Sequence, residues 1–478
     1  MPRDRSRTDP PLRRTQRPRP RGARAAAATT TALALAAGAL TALGTTAQAA
    51  EHCPARPAAG ASACGTGGLT TAANPYAGAD LYVDPAWSAR AQDGGAPAEV
   101  LDQGTAVWLD SIESIHSGRA DSGMGLADHL DEALVQLQSA PTGELVVQLV
   151  LYDLPGRDCA ALTSEGELAP DEIDRYEHEF IDPIAEILAL PQYADLRIAA
   201  VIEPFSLAYL PAHTSPRPGA TAACDEALAG GHYHRGIAYA AAALADAGVH
   251  NYLDAGGHHV LGGAGDPGLF DDGAAMYGAL LQFGLDAEDV HGIAANTADY
   301  GALEEPFFDV DDVLPGGPVS AVPWIDGNGY VDERAFALAF RDRLVQEGFA
   351  HDLGVVVDTS RNGWGGPDRP TETSGSDDPE TYVDESRVDR RDDKGHRCNQ
   401  AGAGLGERPQ AAPGADPDLH AYAWIQPPGV SDGPGADEGK GFDERCTPAF
   451  GALPDGPPPG EWFQAHFEQL LSNAWPPL

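Results

Sequence analysis

The stretch LRIAAVIEPFSL, residues 196–207, decides the fold of this chain. It runs apolar on both faces and then reaches a carboxylate, a proline and the large ring of Phe205. A short run of this kind is typical of a parallel strand that is buried between two layers of helices. Segments of the same character predict seven further strands: TAVWLD (105–110), LVVQLVLYDL (145–154), NYLDAG (251–256), VHGIAAN (290–296), SAVPWID (320–326), LGVVVDTS (353–360) and HAYAWIQP (420–427).

Amphipathic helical stretches separate these strands. Clear examples are GLADHLDEALVQLQ (125–138), DEIDRYEHEFIDPIAEILAL (171–190) and DERAFALAFRDRLVQEGF (332–349). Repeated strand–helix units of this number predict an α/β fold, a distorted parallel TIM-like barrel with its active site at the C-terminal ends of the strands. Residues 365–396 are rich in charge and poor in apolar positions, and they predict a long surface loop near the barrel mouth.

Carboxylates stand at the ends of most of the predicted strands. They are Asp110, Asp153, Asp158, Glu203, Asp254, Asp326 and Asp358, with Asp432 shortly after the last strand. A single Asp at a strand end is usually a turn former or a helix cap, but so many at one face favour a site in which they perturb one another's pKa. Paired carboxylates fit glycoside hydrolysis, in which an acid protonates the leaving oxygen and a base activates water.

The excess of acidic side chains limits the kinds of molecule that the protein is expected to bind. The 478 residues include 72 acidic and 30 basic side chains, a formal net charge of −42. Such a surface repels nucleic acid and anionic membranes, and it suits neutral or cationic partners. The segments HYH (232–234) and GHH (257–259) lack the spacing of a metal motif, so we expect neither a metal nor another cofactor.

The N-terminus predicts export. Nine Arg within the first 24 residues precede an Ala-, Leu- and Thr-rich segment and the A-x-A cleavage site at residues 47–49. Residues 1–49 are expected to be a secretion signal, with a transmembrane anchor as the alternative, residues 50–73 a linker or N-terminal arm, and residues 74–478 one domain. The six cysteines predict disulfides in an exported chain but allow fifteen connectivities; they are Cys53, Cys64, Cys159, Cys224, Cys398 and Cys446.

Long motifs distributed over residues 74–478 resemble glycoside hydrolase family 6. They include NPYAGADLYVDP (74–85), YDLPGRDCAAL (152–162), VIEPFSL (201–207), CNQAGAGLGERP (398–409) and WIQPPGVSDG (424–433). The family comprises inverting cellobiohydrolases and endoglucanases that act on β-1,4-glucan. The resemblance implies a distorted α/β barrel with disulfides Cys159–Cys224 and Cys398–Cys446. The expected partner is β-glucan or a related polysaccharide. Together with the predicted export signal, we expect a secreted, extracellular protein that acts as a monomer.

The resemblance assigns roles to residues of the predicted barrel mouth. Asp158 matches the aspartate that assists the proton donor and stabilises the positive charge of the transition state. Asp432 matches the proposed base. The residues expected to bind the sugar are Trp108, Asp110, Tyr152, Ser164, Asp254 and Asn296.

The chain departs from the family pattern at the proton donor. The family places its catalytic acid one residue after Glu-Pro, where this chain has Phe205, which has no proton to donate. Other family positions are replaced as well; here they are Gln426, Val430, Val260, Gly263, Gly257 and Arg397. The sequence therefore predicts a β-glucanase with altered or reduced activity, and the alternative is a catalytically inactive glycan-binding relative. If the chain is a β-glucanase, a further alternative is that Glu203 or Asp158 donates the proton in place of the missing acid.

Overall fold

A computed structural model describes residues 74–117, 123–161, 166–414, 416–436 and 442–478 of the chain. The predictions made for the export signal, for the N-terminal arm with Cys53 and Cys64, and for Ser164 lie outside these residues. No helix among the described residues is both apolar enough and long enough to cross a bilayer.

The strands of the described residues form one large curled sheet and a small hairpin. They are β1 (Asp80–Leu81), β2 (Val107–Leu109), β3 (Leu145–Leu151), β4 (Arg197–Ile202), β5 (His250–Asp254), β6 (Gly292–Ala295), β7 (Val313–Leu314), β8 (Gly317–Pro318), β9 (Gly354–Asp358), β10 (Gln410–Ala411) and β11 (Leu419–Ala423). The sheet order is β1–β3–β4–β5–β6–β9–β11–β10, and β2 pairs with β3 next to β1. The pairing of β10 with β11 is antiparallel and the other pairings of this sheet are parallel, while β7 and β8 form the hairpin.

Helices alternate with the strands along the chain, as an α/β barrel requires. They are α1 (Pro85–Asp93), α2 (Ala98–Leu101), α3 (Leu126–Leu137), α4 (Ile173–Arg175), α5 (Asp182–Leu188), α6 (Leu210–His213), α7 (Ala222–Gly230), α8 (His232–Asp246), α9 (His258–Leu261), α10 (Leu269–Gly278), α11 (Glu333–Glu347), α12 (Pro379–Ser386) and α13 (Gln464–Ser472). A π-helical segment, Tyr176–Ile181, joins α4 to α5, so the helix predicted over residues 171–190 is present as one helical stretch. Helices α3 and α11 confirm the other two predicted helices.

The strands bury both of their faces. In β3, Val147 and Leu149 belong to the cluster that packs against the helices. The alternate residues Val146 and Val150 belong to the cluster inside the barrel, where small side chains from the other strands meet them. This alternation explains why the strands read as continuous apolar runs in the sequence.

The barrel is joined at one seam by few backbone hydrogen bonds. Between the ends of β2 and β11, the described residues form a single bridge, Thr105 with Trp424. Its hydrogen bond runs from the N–H of Ala106 to the carbonyl of Trp424 (3.2 Å). The indole N–H of Trp108 adds a bond to the carbonyl of Ile425 (3.0 Å). We call this junction the seam.

The strand predicted at residues 320–326 is absent, so that prediction is wrong. The segment forms a 3-10 turn followed by further turns. Pro323 has no N–H to contribute to a sheet ladder. The N–H groups of Ile325 and Asp326 donate instead to the carbonyl of Val322, both at 2.9 Å. Asp326 therefore does not end a barrel strand.

Residues 365–396 are not simply a surface loop, so the prediction of a long surface loop over this range is corrected. They contain α12 and the buried side chains of Asp389 and Arg391. Arg391 pairs with Asp389 at 2.6 Å and with Asp299 at 3.0 Å. Buried charges require partners of this kind. The high charge of the segment therefore marks a buried ion-pair network as well as an exposed surface.

Three histidines lie together at the N-terminal ends of the parallel strands. The rings of His250 and His291 are 4.8 Å apart, and the charge of either acts on His420. Burial and the neighbouring histidines lower the pKa of His291 and of His420 to about 4. Arg341 adds to this effect on His420, whereas Asp352 opposes it. His291 and His420 are therefore uncharged in the folded protein near neutral pH.

We expect a variant with Asn at both position 291 and position 420 to lose less stability in acid than the parent. The imidazoles of His291 and His420 bind protons more readily in the unfolded chain, so they destabilise the fold as the pH falls from about 6.5 to about 4. The variant should gain roughly 3 kcal/mol over the parent between pH 7 and pH 4. This is about half the full linkage value, because His291 contributes to the lowered pKa of His420 and the two shifts therefore do not add. Chemical unfolding at several pH values measures this difference.

His178→Asn is the control for the histidine variant. His178 is exposed, and its hydrogen bond to Asp182 (2.8 Å) raises its pKa. This variant should therefore lose stability in acid relative to the parent. Each variant has to be compared with the parent, because buried carboxyl groups elsewhere in the chain have raised pKa values. Their protonation stabilises the fold as the pH falls, which is opposite to the effect of His291 and His420. Equal pH slopes for the parent and the double variant would contradict the prediction.

Candidate active site

A cleft of about 390 Å³ opens beside the seam, at the C-terminal ends of β2, β3 and β4. Among the residues that line it are Trp108, Asp110, Tyr152, Asp158, Phe205 and Asp432. The structure thus brings together the two predicted catalytic carboxylates, three of the predicted sugar contacts and the phenylalanine that follows Glu-Pro.

Phe205 lies at the exit of β4 in a strained backbone conformation. Its φ is 60° and that of Glu203 is 49°, both in the left-handed region. Asp and Asn adopt this region far more readily than a bulky residue does. The N–H of Phe205 donates to Oδ2 of Asp254 (3.2 Å), which holds the turn in place. Strained residues of this kind collect at functional sites.

Two arginines and three aromatic rings pack against one another beside the cleft. The guanidinium of Arg157 lies 4.0 Å from the ring centre of Tyr152, and that ring meets Phe205 edge-on with 6.0 Å between centres. The guanidinium of Arg397 lies 4.8 Å from the ring centre of Phe205 and 4.7 Å from that of Tyr209. Each cation–ring contact is worth roughly 0.5–2 kcal/mol. We call these five residues the cation–aromatic stack.

Asp158 lies against this stack and carries the charge opposite to that of Arg397. Its Oδ1 is 3.4 Å from Nη2 of Arg397, and its side chain is only 4% exposed. Burial lowers the pKa of Arg397, but Tyr209 and Asp158 more than offset this, so the guanidinium stays charged. The neighbouring Cys159 is tied to α7 by a disulfide, which limits movement of the Asp158 backbone.

Asp432, the predicted base, is held by three donors. Nη1 of Arg361 is 2.7 Å from Oδ1. The hydroxyl of Tyr300 and the N–H of Asn399 donate to Oδ2 at 2.6 and 2.8 Å. The side chain is 15% exposed and lines the cleft. Because an ionised carboxylate has about four acceptor sites, these donors leave about one for a water molecule.

Carboxyl groups at other strand ends lie buried outside the cleft. Glu203 accepts from the hydroxyl of Tyr176 (2.8 Å) and from the N–H groups of Asp153 (3.2 Å) and Leu154 (3.1 Å). Burial raises the pKa of Glu203 to about 7, that of Asp153 to about 9 and that of Asp254 to about 7. Glu203 is 1% exposed and fully engaged with these partners, so its position does not favour proton donation to a bound sugar.

Asp254 and Asn296 belong to the same buried layer. Asp254 supports the backbone of Phe205, and the amide of Asn296 donates to the carbonyl of Asp358 (2.8 Å). Both residues therefore position the backbone near the cleft. Contact of either with sugar stays a prediction, as does that of Ser164, which lies outside the described residues.

Two disulfides hold the loops that carry charges of the cleft. The bonds Cys159–Cys224 and Cys398–Cys446 are formed, as the resemblance implied. Asp158, Arg397 and Arg445 each directly precede one of these cysteines in the chain. The sequence marked Arg397 only as a replacement at a family position, and it gave no indication of Arg445 as a site residue. Their position next to cysteines was the signal that could have indicated them, because such a cysteine fixes the loop beside it.

The histidine segments considered for metal binding make ordinary polar contacts. Nδ1 of His258 is 2.7 Å from Oε1 of Glu333, and Nε2 of His259 is 3.4 Å from Oδ2 of Asp299. Within the described ranges, no group of three or more His, Cys, Asp or Glu side chains is arranged to hold a metal ion. His258 and His259 therefore contribute polar contacts within the fold.

The sequence matches a known family over most of its length. The profile described as Glycosyl hydrolases family 6 matches residues 70–474. The chain belongs to this family. Exoglucanase A of Cellulomonas fimi is 41% identical to it over 434 residues, which cover 84% of this chain. The 1,4-beta-D-glucan cellobiohydrolase CEL6C of Podospora anserina is 33% identical over 383 residues, which cover 80% of each chain.

A solved family 6 structure has the same barrel. The catalytic domain of Cellulomonas fimi Cel6B aligns with a TM-score of 0.78 and 38% identity, covering 85% of this chain and 96% of that one. The fold is therefore the distorted α/β barrel of family 6. This chain spans only 48% of the length of exoglucanase A, so the whole activity of that relative does not transfer by similarity alone.

Proposed function

We propose that this family 6 chain is a secreted, monomeric glycoside hydrolase that binds β-1,4-glucan or a related polysaccharide beside Phe205 and cleaves it slowly. The observation that carries the proposal is the ring of Phe205 in the cleft, where the motif resemblance implies a proton-donating carboxylate. The left-handed backbone supports this assignment, because it suits Asp and penalises a bulky ring. Relatives named exoglucanase and cellobiohydrolase support the substrate class.

Export as one catalytic domain is part of the proposal. Residues 1–49 would be removed as a signal, residues 50–73 would remain as an arm, and residues 74–478 would act outside the cell. The two disulfides support an oxidising destination. Mass spectrometry of the exported protein should find an N-terminus near Ala50, and a retained segment 1–49 would contradict this part.

The chemistry left to the cleft is attack by water without proton donation. Water adds to the anomeric carbon while the glycosidic C–O bond breaks, and the leaving oxygen takes its proton from solvent. Asp158 would stabilise the positive charge that develops on the sugar, and Asp432 would accept a proton from the attacking water. Loss of a general acid costs about 10²–10⁴-fold in rate, so slow turnover follows.

A substrate whose leaving group needs no proton tests this proposal. Fluoride departs as an anion, so β-cellobiosyl fluoride does not depend on a general acid. We expect kcat/KM for the fluoride to exceed that for cellotetraose by at least about tenfold. Asp432→Asn should abolish most of the fluoride reaction. Asp195→Asn, which changes an exposed carboxylate outside the cleft lining, is the control for the loss of one negative charge.

The same experiment distinguishes slow hydrolysis from a second candidate function, which is glycan binding by an inactive relative of the family. The observation in its favour is that both predicted catalytic carboxylates already pair with a guanidinium: Asp158 with Arg397 at 3.4 Å, and Asp432 with Arg361 at 2.7 Å. Binding of cellotetraose without hydrolysis of either substrate would support that candidate. Equal values of kcat/KM for the fluoride and for cellotetraose would contradict the proposal that the cleft lacks a proton donor.

A further inference from the structure

The charge of the cleft differs from that of the chain as a whole. The sequence has 72 acidic side chains against 30 basic ones. Cations and carboxylates both line the cleft. The cations are Arg90, Arg157, Arg397 and Arg445, and the carboxylates are Asp84, Asp110, Asp158, Asp432 and Asp443. An acidic protein has therefore placed nearly as many guanidinium groups as carboxylates in its cleft. This balance admits an anionic ligand that the rest of the surface would repel.

Arg397 is the guanidinium placed next to Phe205. Its bonds to the hydroxyl of Tyr209 (3.2 Å) and to Oδ1 of Asp158 (3.4 Å) use two of its five N–H groups. The rings of Phe205 and Tyr209 fix its position, and so does the next residue, Cys398, which is held in a disulfide. The side chain is 16% exposed, on the cleft. A fixed, planar fork of donors in a cleft is the arrangement that binds a carboxylate with two parallel hydrogen bonds.

Arg157 adds a second guanidinium to this part of the cleft lining. It lies 4.0 Å from the ring centre of Tyr152, and the ring of Tyr152 meets Phe205 edge-on. An anionic group on a sugar beside Phe205 would therefore lie near two cations.

We propose that Arg397 recognises a carboxylate on the sugar bound beside Phe205, so that the preferred substrate class is a β-1,4-linked polysaccharide that carries uronic acid units. This inference rests on the proposed function, since it requires that the cleft binds a β-1,4-linked chain. A neutral hydroxymethyl group accepts one ordinary hydrogen bond, whereas a carboxylate accepts charge-assisted bonds that are roughly twice as strong. The specificity therefore lies in the group at C6 of the sugar.

The test compares two tetrasaccharides of the same linkage, neutral cellotetraose and its counterpart with carboxylates at C6. Calorimetry measures the affinity of each for the parent and for Arg397→Gln. We expect the parent to bind the acidic sugar at least about tenfold more tightly, and we expect Arg397→Gln to weaken acid binding at least about tenfold more than neutral binding. Arg397→Lys should recover only part of the preference, because it keeps the charge and loses the planar fork.

Arg175→Gln is the control for net charge, since Arg175 lies on a helix surface and pairs with Glu172 and Glu179. It should leave the preference for the acidic sugar in place. Equal affinity of the parent for both sugars, or equal weakening of both by Arg397→Gln, would overturn the inference while the proposed function stands. A folded parent that binds neither sugar would overturn the proposed function and the inference with it.

Discussion

The double variant Phe205→Asp with Arg397→Gln is expected to hydrolyse cellotetraose at least about 10²-fold faster than the parent, whereas Phe205→Asp alone should gain less than about tenfold. An Asp at 205 would stand near the present ring, whose centre is 4.8 Å from the guanidinium of Arg397. An opposite charge at such a distance lowers the pKa of a carboxyl by about 1–3 units. The protonated fraction near neutral pH, already small for an Asp, then falls by a further factor of roughly 10 to 10³. Gln at 397 removes the charge and retains a polar side chain.

The pH dependence of kcat/KM separates the single variant from the double one. A general acid must be protonated, so the rate falls as the pH rises through its pKa. We expect this fall at lower pH in Phe205→Asp than in the double variant. Phe205→Asn is the matched control, since it suits the left-handed backbone and has no proton to donate. Identical rates and profiles for the single and double variants would show that positions 205 and 397 are not coupled.

Asp158→Asn is expected to lower the remaining hydrolysis at least about 10²-fold and to change oligosaccharide affinity much less. The substitution keeps the shape of the side chain and removes the charge that would stabilise a cationic sugar. Such stabilisation is large in a site from which water is excluded, and Asp158 is 4% exposed. Rates on β-cellobiosyl fluoride and affinities for cellotetraose, measured on the same preparations, give both quantities.

Stability has to be matched in this comparison. Asn at 158 leaves the guanidinium of Arg397, 3.4 Å away, beside a neutral group. Repeating the substitution in the Arg397→Gln background removes that effect, and thermal unfolding shows whether both proteins remain folded. Undiminished hydrolysis by Asp158→Asn in both backgrounds would place the stabilising charge on another residue.

The barrel could be predicted from the sequence because its strands carry a local signal. β3 and β4 are buried on both faces, so each reads as an apolar run that no exposed segment would tolerate. The segment 320–326 carried the same apolar signal, but Pro323 prevents a ladder and its neighbours bond to Val322. Composition alone therefore marks burial more reliably than it marks a strand.

The contacts of the cleft could be predicted only in part. Asp158 and Phe205 stood out because each lies in a recognisable motif at a strand end. Arg397 stood out only as a replaced family position. Its pairing with Asp158 could not be predicted, since the two residues are 239 positions apart in the chain and nothing local links them. The buried pair Arg391 and Asp389 was missed for the opposite reason: charge in a Pro-rich segment resembles a solvated loop until a third element supplies Asp299.

The seam, where the described residues form only the bridge between Thr105 and Trp424, has a consequence for the size of sugar that the cleft accepts. Trp108 stands on one side of that junction and Gln426 on the other, and both line the cleft. A barrel with a full ladder here would hold these two walls at a fixed spacing. With one bridge and the bond from the Trp108 indole to the carbonyl of Ile425, a change in this spacing breaks few hydrogen bonds. We therefore expect tolerance of bulky or substituted sugar units to depend on the elasticity of the barrel as well as on the side chains that contact the sugar.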